Sequence, residues 1–196
     1  QVAKNIDLID GLAERMAKIT SHLKTFARKS EPGRPEPMEV GRTIEGAMFL
    51  TESQIKSAGV RVTRNVEPNL WVSGYAVQLE QVLVNLIRNA LDAVADVKRP
   101  AIEISASAFP ERVRIVVADN GPGIAPELIE QIFDPFVTSK PVGKGLGLGL
   151  SISYGIMQDF RGRIHAANRD QGGAELVIEL PRLMPETALA EKAAHA

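Results

Sequence analysis

The 196-residue chain contains no cysteine, which excludes disulfides, thiolate metal sites and a cysteine nucleophile and sits easily with a reducing compartment. It lacks any run of about eighteen apolar residues, the length a membrane-crossing helix needs. The segment opening at Gln1 reads as a polar helix rather than a signal peptide, so the chain is expected to be soluble. Charge of one sign is missing too: 23 Lys and Arg stand against 24 Asp and Glu, a net charge of −1. Nothing electrostatic therefore calls for nucleic acid or an anionic membrane as a partner. What is present, 44% hydrophobic residues, builds one ordinary domain core with a modest appendage rather than two full domains.

Positions 2, 5, 9, 12, 16, 19, 23 and 26 follow a three-four spacing, and all but Asn5 are apolar (Val2, Ile9, Leu12, Met16, Ile19, Leu23, Phe26). This is the seam of a coiled coil or helical hairpin, in which Asn5 either fixes register or frays with the terminus. Pro32, Pro35 and Pro37 cannot continue a helix, because they lack the amide donor and clash with the preceding turn. Residues 1–30 are thus expected to form a helix and 31–37 a linker. The pattern over 38–181 predicts helix 38–58, strands 60–66 and 70–72, helix 76–95, and strands 101–107 and 112–118. A loop-rich stretch over 119–149 with one short helix at 126–133 follows, then helix 147–160 and strands 163–167 and 174–180. Residues 182–196 read as a flexible tail. Interleaved helices and strands, with two β pairs adjacent in sequence, predict an α+β two-layer sandwich: a mixed sheet with helices packed on one face.

At about 100° per residue, Leu79, Val82, Leu83, Leu86, Ile87, Ala90, Leu91 and Val94 fall on one side of the long helix, and Gln81, Asn85, Arg88, Asn89 and Asp92 on the other. Asparagine forms helix poorly, so two of them four apart on an outward stripe need a reason. Either they are ordinary surface residues, or their carbonyls face one ligand. An oxygen-seeking ion such as Mg²⁺, which takes one or two protein ligands and completes its shell with water and phosphate oxygens, suits the second reading.

Asp119-Asn-Gly-Pro-Gly-Ile124 leaves a strand and turns sharply, with Gly121 and Gly123 permitting close backbone approach. Asp119 there either caps the turn or accepts a hydrogen bond from the amino group of a base. Lys140-Pro-Val-Gly-Lys-Gly-Leu-Gly-Leu-Gly149 places four glycines and two lysines before a helix. Freed amides, the positive helix end and the lysines all favour phosphate, and the loop is long enough to move as a lid; the alternative is a flexible linker. Gly145, Gly147 and Leu150 do not complete a dinucleotide pattern, and Lys144 is followed by Gly145 rather than the Ser or Thr of a Walker-type loop.

Taken in order, Asn85-Leu-Ile-Arg-Asn-Ala-Leu-Asp-Ala93, Asp119-Asn-Gly-Pro-Gly123, Phe133-Asp-Pro-Phe136, Gly143-Lys-Gly-Leu-Gly-Leu-Gly149 and Gly172-Gly173 resemble the N, G1, F, G2 and G3 boxes of sensor histidine kinases. The resemblance covers roughly residues 38–181. The helix end Phe26-Ala-Arg28 looks like the second hairpin helix of kinases similar to the C4-dicarboxylate transport and nitrogen sensors. The resemblance implies a Bergerat ATP-binding fold whose substrate nucleotide is ATP with Mg²⁺. It implies that Asn89 ligates the metal, that Asn85 supports the phosphates beside Asp92, and that Asp119 receives the adenine amino group. Gly121, Gly123 and Ile124 would shape the adenine pocket. Phe133 and Phe136, which in isolation read as core residues, would anchor the lid that carries Thr138. Gly143, Gly145, Leu146, Gly147, Leu148 and Gly149 would wrap the phosphates, with Lys140 or Lys144 near the γ-phosphate. Leu146 departs from the Thr or small residue of many relatives, a change expected in lid packing and not in fold.

In related ATPases of the gyrase, heat-shock chaperone and mismatch-repair type, the residue four before the metal Asn is a Glu acting as base toward water. Here it is Asn85, and an amide takes no proton at neutral pH. The site is therefore expected to hold ATP for an external nucleophile, which favours phosphoryl transfer to a protein. The family's acceptor is a His followed by an acidic residue on the first hairpin helix, yet His22, His165 and His195 precede Leu, Ala and Ala. The chain is expected to be a fragment beginning after the acceptor, binding Mg-ATP without phosphorylating itself. Its implied setting is the cytoplasmic part of an inner-membrane sensor, a homodimer when whole, with a response-regulator receiver domain as partner. Rival readings are a water-hydrolysing ATPase or Ser-directed kinase of the same superfamily, and a pseudokinase that only scaffolds.

Overall fold

The computed structural model describes residues 34–138, 140 and 146–186. The expected seam helix over 1–30 and the end of the tail lie outside these residues, as do Gly143, Lys144 and Gly145. The described chain runs β1 (Glu36–Glu39), α1 (Val40–Ser57), β2 (Arg61–Val66), β3 (Trp71–Gly74), α2 (Ala76–Ala93), β4 (Ala101–Ala108) and β5 (Arg112–Asp119). A single 3-10 turn (Pro126–Leu128) is followed by α3 (Gly149–Asp159), β6 (Arg163–Asn168) and β7 (Ala174–Leu183). The seven strands form one sheet in the order β1-β3-β7-β5-β4-β2, with β6 also paired to β7. Every pairing is antiparallel except β2 with β4, so the sheet is mixed, as the sequence predicts.

Period-two alternation decides which face is covered. Ile102, Ile104 and Ala106 of β4, Val113, Ile115 and Val117 of β5, and Leu176, Ile178 and Leu180 of β7 are buried in one cluster with the apolar stripes of the helices. The side chains between them, Glu103, Arg114 and Glu179 among others, face the opposite way, where Arg114 pairs with Glu179 at 2.9 Å. One dry face and one wet face leave room for a single layer of helices. In α2, Leu79, Val82, Leu83, Leu86, Ile87, Ala90 and Leu91 are buried, and Val94 just beyond it is too. That is the face read from the sequence. Each large side chain buried there contributes about 1.5–3 kcal/mol relative to exposure.

Three elements differ from expectation. The segment expected as linker through Pro37 and helix from Met38 holds β1, which pairs Glu36 with Gly74 and Met38 with Val72. Pro37 is tolerated because β1 is a sheet edge, where a missing amide leaves no ladder bond unmade. The helix expected over 126–133 is one 3-10 turn followed by further turns, with Gln131 N bonded to Leu128 O and Asp134 N to Gln131 O. Ile132 and Phe133 pack against the core from that segment, and tertiary packing overrides the local helix preference. Helix α3 begins at Gly149 rather than 147, because Gly147 has φ +64°, a left-handed conformation that no α-helix contains.

Candidate functional site

The polar face of α2 and the start of α3 meet through Asn85. Its Nδ2 donates to Ser153 Oγ at 2.9 Å, and Ser153 Oγ donates in turn to Gly149 O at 3.0 Å. With its proton committed to that carbonyl, the serine offers Asn85 only a lone pair. The carboxamide must therefore turn its nitrogen to Ser153 and leave Oδ1 toward Gly149. A side chain at Gly149 would strike that oxygen. Ser153 is buried and Asn85 partly so. Leu148, also buried, precedes α3 without a capping side chain, so the helix's first amides are left as donors for an anion. One turn further along α2, Asn89 is partly exposed and its carboxamide has no hydrogen-bond partner among the described residues. Asp92, on the next turn, holds Lys140 Nζ at 2.5 Å.

Asp119 closes β5 and is 7% exposed. Its Oδ1 accepts from Gly121 N at 2.8 Å and from Ala174 N at 3.3 Å, which leaves Oδ2 without a partner among the described residues. Burial pushes the carboxyl above its ordinary pKa; the Gly121 and Ala174 amides and the charge of Arg169 pull the other way without cancelling it. A buried carboxylate with one oxygen pinned and one free is built to accept a donor from a ligand. The loop after it lies against the end of α2, since a Cβ on Gly121 would come within 2.8 Å of Ala93 O. That contact sets the turn after Asp119 against the C-terminal end of the helix that carries Asn89. Asn120 points away and clamps the start of β4, accepting from Ala101 N and donating to Arg99 O, both at 2.8 Å.

Backbone contacts join Phe136 and Val137 to Gly147 on the far side of the glycine-rich stretch. Phe136 N donates to Gly147 O at 3.0 Å, and a Cβ on Gly147 would sit 2.6 Å from the Phe136 carbonyl carbon and the Val137 oxygen. Phe133 is partly buried against the core and Tyr154, ring centroids 6.0 Å apart. The Phe136 ring, by contrast, is 69% exposed, so its main chain and not its ring holds Gly147. Thr138 is exposed and its Oγ1 accepts from Lys140 N at 3.1 Å. Leu146 is partly buried.

Sequence reasoning missed two residues here. Ser153 lies within the helix expected over 147–160, and nothing in the sequence marks it. Asn168, at the end of β6, donates from Nδ2 to Ile124 O and accepts at Oδ1 from Ile124 N, both at 2.7 Å. A polar amide ending a strand just before Gly172-Gly173 was the available signal. A separate concavity of about 330 Å³ at the start of β5 is lined by Phe109, Arg112, Arg114 and Glu179. Its Arg114 is already spent on Glu179 and the Phe109 ring, and it lies at the other end of the strand from Asp119.

Comparison with known proteins bears on this geometry. The family model described as histidine kinase-, DNA gyrase B-, and HSP90-like ATPase matches residues 74–184. The chain is 35% identical over 186 residues to the C4-dicarboxylate transport sensor protein DctB of Pseudomonas aeruginosa, covering 94% of this chain and 30% of that protein. It is 38% identical over 171 residues to the protein of the same name from Rhizobium meliloti, covering 87% of this chain and 27% of that one. The chain thus spans about three tenths of the length of these curated relatives. Among solved structures, the catalytic domain of the histidine kinase ThkA superposes with a TM-score of 0.69 at 31% identity, covering 79% of this chain and 99% of that one. ThkA in complex with the response regulator TrrA superposes with a TM-score of 0.74 at 28% identity, covering 95% of this chain and 52% of that one.

Proposed function

Since the chain belongs to the family of histidine kinase-, DNA gyrase B- and HSP90-like ATPases, whose fold is an ATP-binding one, we propose that its site binds Mg-ATP for phosphoryl transfer to a histidine. The chain then serves as the catalytic part of a two-component sensor kinase. It passes the γ-phosphate to a histidine on a hairpin helix, for relay to an aspartate of a response-regulator receiver domain. The observation that carries the reading is Asp119, a buried carboxylate with Oδ1 held by two backbone amides and Oδ2 left for an amino group. The complex between the structural neighbour ThkA and its response regulator supports the relay.

The residues present fit Mg²⁺. Asn89 is partly exposed and its carboxamide has no competing partner, and no group of three or more His, Cys, Asp or Glu forms a metal cage, among the described residues. That matches an ion held by one or two protein oxygens and the triphosphate. Asn89 would hold it, and when bound it neutralises charge on the phosphates. Asn85 and the uncapped amides of α3 face the same phosphates, Gly121, Gly123 and Ile124 border the base, and Lys140 and Lys144 serve the γ-phosphate end. Asn85 takes no proton, so water at this site goes unactivated and the nucleophile is supplied by the partner histidine. The chain acts in the cytoplasm, where ATP is available, as part of a homodimeric membrane sensor; among the described residues no helix is long and apolar enough to cross a membrane.

The test is incubation with labelled Mg-ATP and a separately supplied dimerisation hairpin from a C4-dicarboxylate sensor. Acid-labile label on the hairpin is the expected result, together with a higher melting temperature in millimolar Mg-ATP. A melting temperature indifferent to nucleotide sinks the reading; nucleotide binding without transfer to any hairpin leaves a scaffold.

A further inference from the structure

The loop that follows Asp119 has no strand partner, yet its backbone is held as if it had one. Asn168 meets both polar atoms of Ile124 with the two ends of one carboxamide, each bond 2.7 Å long. The side chain thereby reproduces one rung of an antiparallel ladder. Close packing reinforces it: Gly123, at φ +83°, lies so near that a Cβ would stand 2.8 Å from Asn168 Oδ1 and 3.5 Å from Gly173 O. Asn168 is itself fixed by its register opposite Ala174, the rung that closes the β6–β7 hairpin. Ala174 N is one of the two donors to Asp119 Oδ1. Across the turn, Arg169 N bonds Gly173 O and Gly172 N bonds Arg169 O, both at 3.0 Å, and Gly173, at φ +88°, sits flush against the Asp119 carbonyl. One hairpin rung therefore reaches the site twice, through a backbone amide to Asp119 and through a side chain to Ile124.

We propose that Asn168 is a positioning residue for adenine: by gripping Ile124 it sets the distance between the Gly121–Ile124 loop and Asp119, and with it the fit and selectivity for the base. The proposal rests on the reading of Asp119 as the receptor of the adenine amino group. Asn168 acts only through the loop, on the base side, and the phosphate side of the site on α2 and α3 is independent of it.

Calorimetric titration of the whole chain with Mg-ATP, Mg-GTP and magnesium tripolyphosphate separates these roles. Asn168→Ala is expected to weaken ATP by roughly threefold to tenfold, as the loss of two hydrogen bonds to a loop would, and to narrow the ATP-to-GTP ratio. Tripolyphosphate affinity stays at the wild-type value. Asn168→Asp keeps the acceptor for Ile124 N but sets a carboxylate oxygen against Ile124 O, so it is expected to weaken ATP at least as much as the alanine variant with tripolyphosphate again at the wild-type value, and it carries the test if the alanine variant fails to fold. Wild-type ATP affinity in both variants overturns the proposal, and so does a parallel loss for ATP and tripolyphosphate, which marks a general structural role. A wild-type chain that binds no ATP overturns the nucleotide reading itself and this inference with it.

Discussion

The Asp119 end of the site is built from strand ends and a hairpin turn, whereas the Asn89 end is the outward face of a helix. At the first, Asp119 is buried and pinned by Gly121 and Ala174, and the next loop is clamped by Asn168. At the second, Asn89 is partly exposed, and Asp92 on the next turn forms an exposed pair with Lys140. Preorganisation is thus concentrated where a base would be selected. Around Asn89, where phosphates and their metal would be exchanged, the side-chain contact is an exposed ion pair.

If that contrast holds, Asp119→Ala gives the largest effect. It should weaken Mg-ATP about tenfold to a hundredfold, the range for a charge-assisted hydrogen bond, and cost about 1–3 kcal/mol of stability by stranding two amides. Titration and denaturant unfolding measure the two. The raised pKa of Asp119 adds a pH signature. The native state binds this proton more tightly than the unfolded chain, so the penalty is absent below the unfolded pKa and complete above the folded one. Between them stability falls as pH rises. ATP affinity runs the opposite way, rising with pH as the acceptor ionises, and Asp119→Asn should flatten both slopes.

Asn89→Ala, at the other end, is expected to remove most of the difference between ATP affinity with and without Mg²⁺ while stability moves by no more than about 0.5 kcal/mol. A stability loss as large as that of Asp119→Ala would erase the contrast. Ser153→Ala leaves Asn85 Nδ2 unpartnered and should cost about 1 kcal/mol, with ATP affinity reduced and its magnesium dependence kept, because it is the phosphate-side carboxamide that is free to flip. The smallest effect belongs to Asp92→Asn. Its pair with Lys140 has side chains 58% and 31% exposed, so about 0.2–1 kcal/mol is expected, shrinking as salt is added.

Much of this was legible in one dimension. The apolar stripe of α2 is periodic over consecutive turns, so Leu79 through Val94 declared the buried face, and with it the outward placing of Asn85, Asn89 and Asp92. Asp119 and its glycines stood out because a turn after an apolar strand is a local event. The short helix expected over 126–133 failed because its conformation depends on where Ile132 and Phe133 find the core. The Phe136 ring was expected to anchor the lid, but the bond that meets Gly147 is a backbone one, invisible to side-chain reading.

By itself the sequence determined the layered α+β fold, the two faces of α2 and the residue types of the site, because each follows from periodicity or from a turn within a few residues. Only the tertiary structure decided that Ser153 orients Asn85 across 68 positions, that Asn168 grips Ile124 across 44, and that β1 joins the sheet. Such pairings join residues whose separation carries no period, and they exist only once packing has brought the elements together.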